Sequence, residues 1–104
     1  MRRGEIWWAA LDPPAGRRPV LLLSRNQAYR VRESVTVAPL TTRIRRIAAE
    51  VTVGPVDGVP TDSVVNLDNM QTIVKRKLQS RIVELSDGKM LAVAAAIRWA
   101  LALD

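Results

Sequence analysis

The chain has 104 residues, 48% of them apolar and 25% charged, a composition that predicts one globular domain over residues 1–104. It contains no cysteine and no histidine, and its acidic residues are scattered, so disulfides and thiol catalysis are excluded, a zinc site is disfavoured and carboxylate-bound magnesium has no support. Sixteen basic residues against ten acidic ones give a net charge of +6, which favours a polyanion such as nucleic acid as the partner.

The first half of the chain predicts short strands. Glu5–Leu11 is aromatic and apolar and ends at a Pro-Pro turn, which is typical of a strand. Trp7 and Trp8 then point to opposite faces. One of them is expected in the core, whereas the other could lie in the core, at an interface or stacked on a nucleic-acid base. Pro19–Ser24 is an unbroken apolar run, and it predicts a strand buried on both faces at the centre of the sheet.

Further short elements follow along the chain. Single helical turns are predicted at Gln27–Arg32 and Lys75–Leu78, and a basic loop is predicted at Thr41–Ala48. Strands this short and this closely spaced are typical of an antiparallel barrel or a strongly bent sheet. The remaining strands are predicted at Ser34–Leu40, Glu50–Val53, Ser63–Leu67, Met70–Val74 and Arg81–Leu85.

One long helix is predicted at the end of the chain. Ser86 is a candidate N-cap, and apolar residues recur at spacings of three and four within Asp87–Leu103. A helix with one apolar stripe must cover that stripe against another element. The expected fold class is therefore mostly β with a C-terminal helix (α+β), the helix being packed against the sheet.

The two ends of the sequence predict the cellular location. The N-terminal segment MRRGEIWW lacks the apolar core of a secretory signal. The apolar segment Met90–Leu103 is too short to span a bilayer and contains Arg98. We therefore expect a cytoplasmic protein without a membrane partner.

Several segments carry a resemblance to a known family. They are RGEIWW at Arg3–Trp8, RPVLLLS at Arg18–Ser24, VAPLTT at Val37–Thr42, DSVVNLDNMQTI at Asp62–Ile73, KRKL at Lys75–Leu78 and RIVELS at Arg81–Ser86. Taken in this order and with the apolar terminal helix, they resemble the MazF/PemK toxins nearly from end to end. The resemblance implies an SH3-like barrel of the CcdB/PemK kind, a homodimer, endoribonuclease activity and an acidic cognate antitoxin whose tail occupies the RNA groove.

The resemblance also implies roles for individual residues. The catalytic arginine of the family, directly before the Pro-Val of the second strand, falls on Arg18, and its catalytic threonine, at the end of the third strand, falls on Thr41. Asn69, within LDNMQT, falls on a position that helps to hold the RNA. Without the resemblance, Arg18 would be interpreted as a loop charge and Thr41 as a residue that ends or caps a strand.

RNA cleavage without a metal ion needs three chemical contributions. A base accepts the proton of the 2′-hydroxyl, an acid protonates the leaving oxygen, and a cation or hydrogen-bond donor stabilises the charge on the phosphoryl oxygens. Arg18 suits the third role and could also serve as the acid, and Thr41 can donate its hydroxyl. Because an arginine side chain stays protonated in proteins, Arg18 is a poor base, and the base remains unassigned. Glu5 and Asp12 are the carboxylates nearest in sequence, but a surface charge or a turn cap is the simpler interpretation of each.

Further residues beside these positions are candidates for binding RNA. Thr42 and Asn69 either read the edges of unpaired bases or make turn and ladder hydrogen bonds. A set of loop arginines either forms a rim along the RNA backbone or remains solvated. These arginines are Arg17, Arg25, Arg43, Arg45 and Arg46.

The sequence thus predicts a sequence-selective, metal-independent endoribonuclease toxin that needs no cofactor. It is expected to cleave single-stranded RNA by 2′-hydroxyl attack, which leaves a 2′,3′-cyclic phosphate and a 5′-hydroxyl, and to be neutralised by a cognate antitoxin. Two alternatives remain. One is a non-catalytic toxin of the CcdB kind, which would bind a protein target through the terminal helix that carries Trp99. The other is a module that only binds RNA.

Overall fold

The computed structural model describes all residues from Met1 to Asp104. Its strands are β1 (Glu5–Ala10), β2 (Arg17–Leu22), β3 (Ser34–Thr41), β4 (Glu50–Val53), β5 (Ser63–Asn66), β6 (Gln71–Val74) and β7 (Leu78–Glu84). Its α-helices are α1 (Ala28–Val31) and α2 (Asp87–Ala100). Single turns of 3₁₀ helix lie at Pro55–Asp57, Leu67–Asn69 and Lys75–Lys77.

All seven strands form one antiparallel sheet that bends strongly. The strand order is β4-β5-β3-β2-β1-β7, and β6 also pairs with β3. The first half of β3 pairs with β6 from Ser34 to Val37, whereas its end pairs with β5 at Leu40 and Thr41. Because one strand serves two neighbours in succession, the sheet folds around its own interior. The predicted class, mostly β with a C-terminal helix, is confirmed.

Strand β2 lies in the middle of this sheet and is buried on both faces. Val20, Leu21 and Leu22 are all inaccessible to solvent. Leu21 belongs to the core that includes Val93 of α2, whereas Val20 and Leu22 belong to a second core that includes Tyr29 of α1. Successive side chains of a strand point to opposite faces, so an unbroken apolar run can serve two cores. The prediction of a central strand is confirmed.

Two strand boundaries differ from the prediction because of pairing with β1. Strand β2 begins at Arg17, two residues earlier than expected, since Arg18 continues the ladder opposite Ala9. Strand β7 begins at Leu78 instead of Arg81, and Leu78 also pairs with Ala9. Residues 79–81 are exposed because β7 lies at the edge of the sheet, so their polar sequence gives no strand signal. As a result, Arg18 lies on a strand and not in a loop.

Helix α2 covers the sheet as predicted but ends before the predicted Leu103. The hydroxyl of Ser86 accepts a hydrogen bond from the Lys89 amide at 3.1 Å and caps the first turn. At the other end, Ala102 adopts a left-handed φ of 56°, and the Leu103 amide donates to the Arg98 carbonyl at 2.7 Å. This arrangement closes a helix C-terminus. No helix in the structure has the length and apolarity needed to cross a membrane.

Glu5 is a buried carboxylate, so its interpretation as a surface charge or turn cap is wrong. Its exposed fraction is 6%, and it accepts hydrogen bonds from the Arg2 amide, the Trp7 indole and the Arg81 Nε at 3.0, 3.0 and 2.9 Å. Burial raises the pKa of Glu5, but the hydrogen bonds from Trp7, Arg81 and Arg2 outweigh it. The pKa of this carboxyl therefore lies below its ordinary value.

This lowered pKa predicts acid-sensitive stability. A depressed pKa stabilises the fold above the pKa of the unfolded chain, about 4.3 for a glutamate, and the contribution is lost as the pH falls through the folded-state pKa. We expect Glu5→Gln to lower the free energy of unfolding by roughly 1–3 kcal/mol at pH 7. Urea denaturation measures the difference in the free energy of unfolding between the parent protein and Glu5→Gln, and this difference should be smaller at pH 3 than at pH 7. The same difference at both pH values would contradict the role of the ionised carboxyl.

Candidate active site

A cavity of about 240 Å³ brings Arg18 and Thr41 together at one end of the sheet. Strand β3 runs antiparallel to β2, so the start of β2 and the end of β3 lie at the same end. The connection between β4 and β5 closes the cavity from the other side. The lining residues are Trp8, Arg18, Pro19, Leu40, Thr41, Thr42, Val59, Pro60, Thr61 and Ser63.

The guanidinium of Arg18 is free to bind an anion. Its Nε donates a long hydrogen bond of 3.4 Å to the Ala15 carbonyl, which orients the side chain from the first loop. Arg18 forms no ion pair, unlike Arg45 and Arg81, whose guanidinium groups lie beside carboxylates. The two terminal nitrogens of Arg18 therefore remain available to donate to two oxygens of one phosphate.

Thr41 is held so that its hydroxyl can act as a donor. The Oγ1 atom accepts a hydrogen bond from the Arg43 amide at 3.1 Å, so the hydroxyl hydrogen stays free. Thr42 adds a second hydroxyl to the lining. In contrast, the Ser63 hydroxyl already donates to the Thr61 carbonyl at 2.8 Å. Arg18 and Thr41 thus keep unused donors and line the same cavity from two different strands.

The carboxylates that the sequence placed nearest to the site do not line the cavity. Glu5 lies on the face of β1 opposite to Trp8, since the two positions differ by an odd number of residues. Asp12 is exposed and forms an ion pair with Lys77 at 2.9 Å. The side chains that line the cavity therefore supply a cation and hydroxyls, and none of them is a carboxylate.

The predicted arginine rim divides into four groups, three of which are single residues. Arg17 stacks on the Trp8 ring with 4.2 Å between its guanidinium carbon and the ring centroid, and its Nε donates to the Gln79 side chain at 2.9 Å. Arg43 follows the lining residue Thr42 and is exposed without an ion-pair partner. Arg25 follows the far end of β2, about seven residues or roughly 20 Å of extended strand from Arg18, and does not line the cavity.

Arg45 and Arg46 are organised by a carboxylate that the sequence did not single out. Both backbone amides donate to Oε1 of Glu50, at 2.9 and 3.1 Å, and the Arg45 guanidinium lies 3.9 Å from the other oxygen. The Glu50 side chain is only 1% exposed, and Arg46 adopts a left-handed φ of 58°. Glu50 therefore holds the basic loop that begins at Thr41 in one conformation.

Asn69 lies outside the cavity. It is exposed in the 3₁₀ turn Leu67–Asn69, and that turn packs against α2. The side-chain bond of this turn is made by Asn66, whose Oδ1 accepts from the Asp68 amide at 3.0 Å. The side chain of Asn69 is thus not required for the turn, and Asn69 is not among the residues that line the cavity with Arg18 and Thr41.

Two parts of the lining were missed as site residues. The sequence offers base stacking only as one of several roles for the two tryptophans. Strand alternation shows that Trp7 and Trp8 point to opposite faces, but it does not say which face meets the site. Val59, Pro60 and Thr61 come from a Gly- and Pro-containing connection without any chemical motif. Their contribution depends on how that connection folds back, and no local pattern reveals it.

Comparison with known proteins identifies the family. A model of the family described as PemK-like, MazF-like toxin of type II toxin-antitoxin system matches residues 2–101. The probable endoribonuclease MazF5 of Mycobacterium tuberculosis is 40% identical over 100 residues, covering 95% of this chain and 91% of that protein.

Solved structures agree with this assignment. The M. tuberculosis toxin MazF-mt6 matches with a TM-score of 0.89 and 41% identity, over 96% of this chain and 98% of that one. An endoribonuclease in complex with its cognate antitoxin from a mycobacterial species matches with a TM-score of 0.88 and 32% identity, over 100% of this chain and 97% of that one. The chain therefore belongs to the family of PemK-like, MazF-like toxins of type II toxin–antitoxin systems.

Proposed function

We propose that this chain is an endoribonuclease toxin that cleaves single-stranded RNA and is neutralised by a cognate antitoxin. The observation that carries the proposal is the cavity that Arg18 and Thr41 both line, because each of these side chains keeps a donor without a partner. The names of the relatives support the same activity, because MazF5 is called a probable endoribonuclease and a similar structure is an endoribonuclease bound to its antitoxin.

The proposed reaction rearranges bonds within the RNA, and the protein only has to accept one proton and return one. The 2′-oxygen loses its proton and bonds to the neighbouring phosphorus, while the bond from phosphorus to the 5′-oxygen breaks. The products are a 2′,3′-cyclic phosphate and a 5′-hydroxyl, the latter having gained one proton. Arg18 neutralises the charge that develops on the phosphoryl oxygens, and Thr41 donates a further hydrogen bond to them.

The charge of the chain supports the proposed partners. A net charge of +6, with Arg43 exposed beside the cavity, attracts the RNA backbone and makes binding weaker at high salt. An acidic antitoxin segment would compete for the same cations. We further propose a homodimer in the cytoplasm that forms one folded domain per chain.

Thr41→Val is expected to lower the cleavage rate constant by about 10- to 100-fold at saturating protein, because it removes one hydrogen bond to a charged group while keeping the side-chain shape. Thr72→Val is the matched control, since Thr72 is exposed on β6 and does not line the cavity. The measurement is single-turnover cleavage of a labelled RNA. Equal rate constants for Thr41→Val and Thr72→Val would remove Thr41 from the proposed mechanism.

The proposed function is tested by digesting a long single-stranded RNA with a small molar fraction of protein in EDTA. Repeated cleavage at a limited set of positions, suppressed by the cognate antitoxin, is the expected result. The exposed Trp99 on α2 favours the alternative of a toxin that binds a protein target. Intact RNA after prolonged incubation would reject the enzyme. Tight and salt-sensitive binding of that RNA would then favour the module that only binds RNA, whereas no binding would favour the toxin that binds a protein target.

A further inference from the structure

The lining of the cavity combines two kinds of residue. Five are polar or charged, namely Arg18, Thr41, Thr42, Thr61 and Ser63. The other five are apolar, namely Trp8, Pro19, Leu40, Val59 and Pro60. A nucleotide has the same division, because its phosphate is charged and its base presents a flat face that stacks on aromatic rings. The apolar residues of the lining, and Trp8 above all, therefore suit a base attached to the phosphate that Arg18 binds.

Trp8 is the only aromatic residue in the lining, and its surroundings hold it in place. It pairs with Pro19 across the β1–β2 ladder, which fixes its backbone next to the strand that carries Arg18. The guanidinium of Arg17 packs on the ring at 4.2 Å, and Gln79 of β7 holds that guanidinium through a 2.9 Å hydrogen bond. A ring fixed by three strands loses little conformational entropy when a ligand stacks on it.

We propose that Trp8 is the stacking site for the base of a nucleotide adjoining the scissile phosphate, with Arg17 as the cation that supports the ring. The proposal rests on the proposed ribonuclease function and adds a base-binding residue to it. Arg17 then acts through Trp8, in place of the direct contact with the RNA backbone expected from the sequence. Stacking is tolerant of base identity, so Trp8 contributes affinity and position more than sequence selectivity.

The other two tryptophans have different surroundings and provide internal controls. Trp7 lies on the opposite face of β1, packs against the second core and donates its indole hydrogen to Glu5. Trp99 is 60% exposed and lines a separate groove between α2 and β4. Neither ring touches the cavity that holds Arg18 and Thr41. An RNA bound in this cavity should therefore change the environment of Trp8 alone.

The first test follows the fluorescence of single tryptophans. The RNA probe spans a mapped cut site and carries 2′-O-methyl groups, which cannot attack phosphorus. Titrated into the variant Trp7→Phe/Trp99→Phe, it should quench Trp8 to saturation, whereas the variant Trp7→Phe/Trp8→Phe, which retains Trp99, should keep its emission. Unchanged Trp8 emission at saturating probe would overturn the proposal. Circular dichroism verifies that both variants are folded.

The second test asks whether Trp8 and one base act on each other. Trp8→Ala should weaken binding of the probe by about 5- to 150-fold, while Trp8→Phe keeps most of the affinity and Trp99→Phe keeps all of it. An abasic nucleotide is placed in turn at each position beside the cut site of the probe. At one of these positions it should weaken binding to the parent protein, and at the same position it should cause no further loss of affinity in Trp8→Ala. Additive losses at every position would reduce Trp8 to a structural role. If the parent protein neither cleaves nor binds RNA, the proposed ribonuclease function is wrong. If the parent protein cleaves RNA and the Trp8 tests fail, only the role of Trp8 is wrong.

Discussion

Arg18→Ala is expected to lower the single-turnover rate constant for RNA cleavage by about 10²–10³-fold, the range seen when one preorganised donor to a developing oxyanion is removed. Arg18 lies on β2 and lines the cavity, its guanidinium forms no ion pair, and its two terminal nitrogens match two phosphoryl oxygens. Arg18→Lys should recover only part of the rate, because lysine keeps the charge but cannot donate in a fork.

Arg25→Ala is the matched control for this prediction. It removes the same side chain and the same charge at the far end of β2, outside the cavity. Its cleavage rate constant at saturating protein should stay within a few-fold of the parent value, although binding at low protein concentration can weaken through the loss of one positive charge. Similar rate constants for the two alanine variants would mean that general charge, and not the position of Arg18, carries the activity.

The second large effect is expected from Leu21→Ala, which should lower the free energy of unfolding by roughly 2–5 kcal/mol. Leu21 is inaccessible to solvent in the central strand, so its truncation removes apolar contacts and leaves a cavity between the sheet and α2. A loss of this size is a large part of the stability of a small domain. Because β2 also carries Arg18, the variant should lose activity at temperatures where the parent remains folded.

Val31→Ala provides the comparison for this stability change. Val31 is 63% exposed at the end of α1, so its truncation should change the free energy of unfolding by less than about 0.5 kcal/mol. Urea denaturation measures both variants on the same scale. A midpoint for Leu21→Ala that equals that of Val31→Ala would contradict the assignment of β2 as the strand shared by the two cores.

Local pattern accounts for most of the elements. An unbroken apolar run such as Pro19–Ser24 requires burial on both sides, and the structure provides a core on each face of β2. The sequence predicts a shorter β7, because Gln79 and Ser80 near its start are polar and exposed at the sheet edge. Backbone pairing, which leaves no trace in hydropathy, makes them a strand.

The candidate site depended on the resemblance as well as on the residues. Composition alone predicts a basic domain with affinity for phosphate, whereas the family pattern singles out Arg18 and Thr41, which line one cavity. Nearness in sequence groups Arg25 with them, but β2 runs away from the cavity and Arg25 follows its far end. Asn69 matches a motif and still lies apart from the cavity.

The buried carboxylates could not be predicted, since their partners are set by the tertiary fold. Glu5 meets Arg81 across 76 positions of sequence, and only the pairing of β1 with β7 brings them together. Glu50 was assigned to a strand, but its side chain turns back to hold the amides of Arg45 and Arg46. In both cases the residue type suggests a solvated charge, and burial reverses that interpretation.

The chemistry of the cut ends tests the central claim most directly. A long single-stranded RNA is digested in EDTA with a small molar fraction of the protein, and both new ends at each cut site are identified. Attack by the 2′-hydroxyl with Arg18 and Thr41 predicts 5′-hydroxyl ends paired with 2′,3′-cyclic phosphates, and no cleavage where the nucleotide on the 5′ side of the cut is 2′-deoxy. Cut ends with a 5′-phosphate, or cleavage that persists at the deoxy position, would contradict the mechanism.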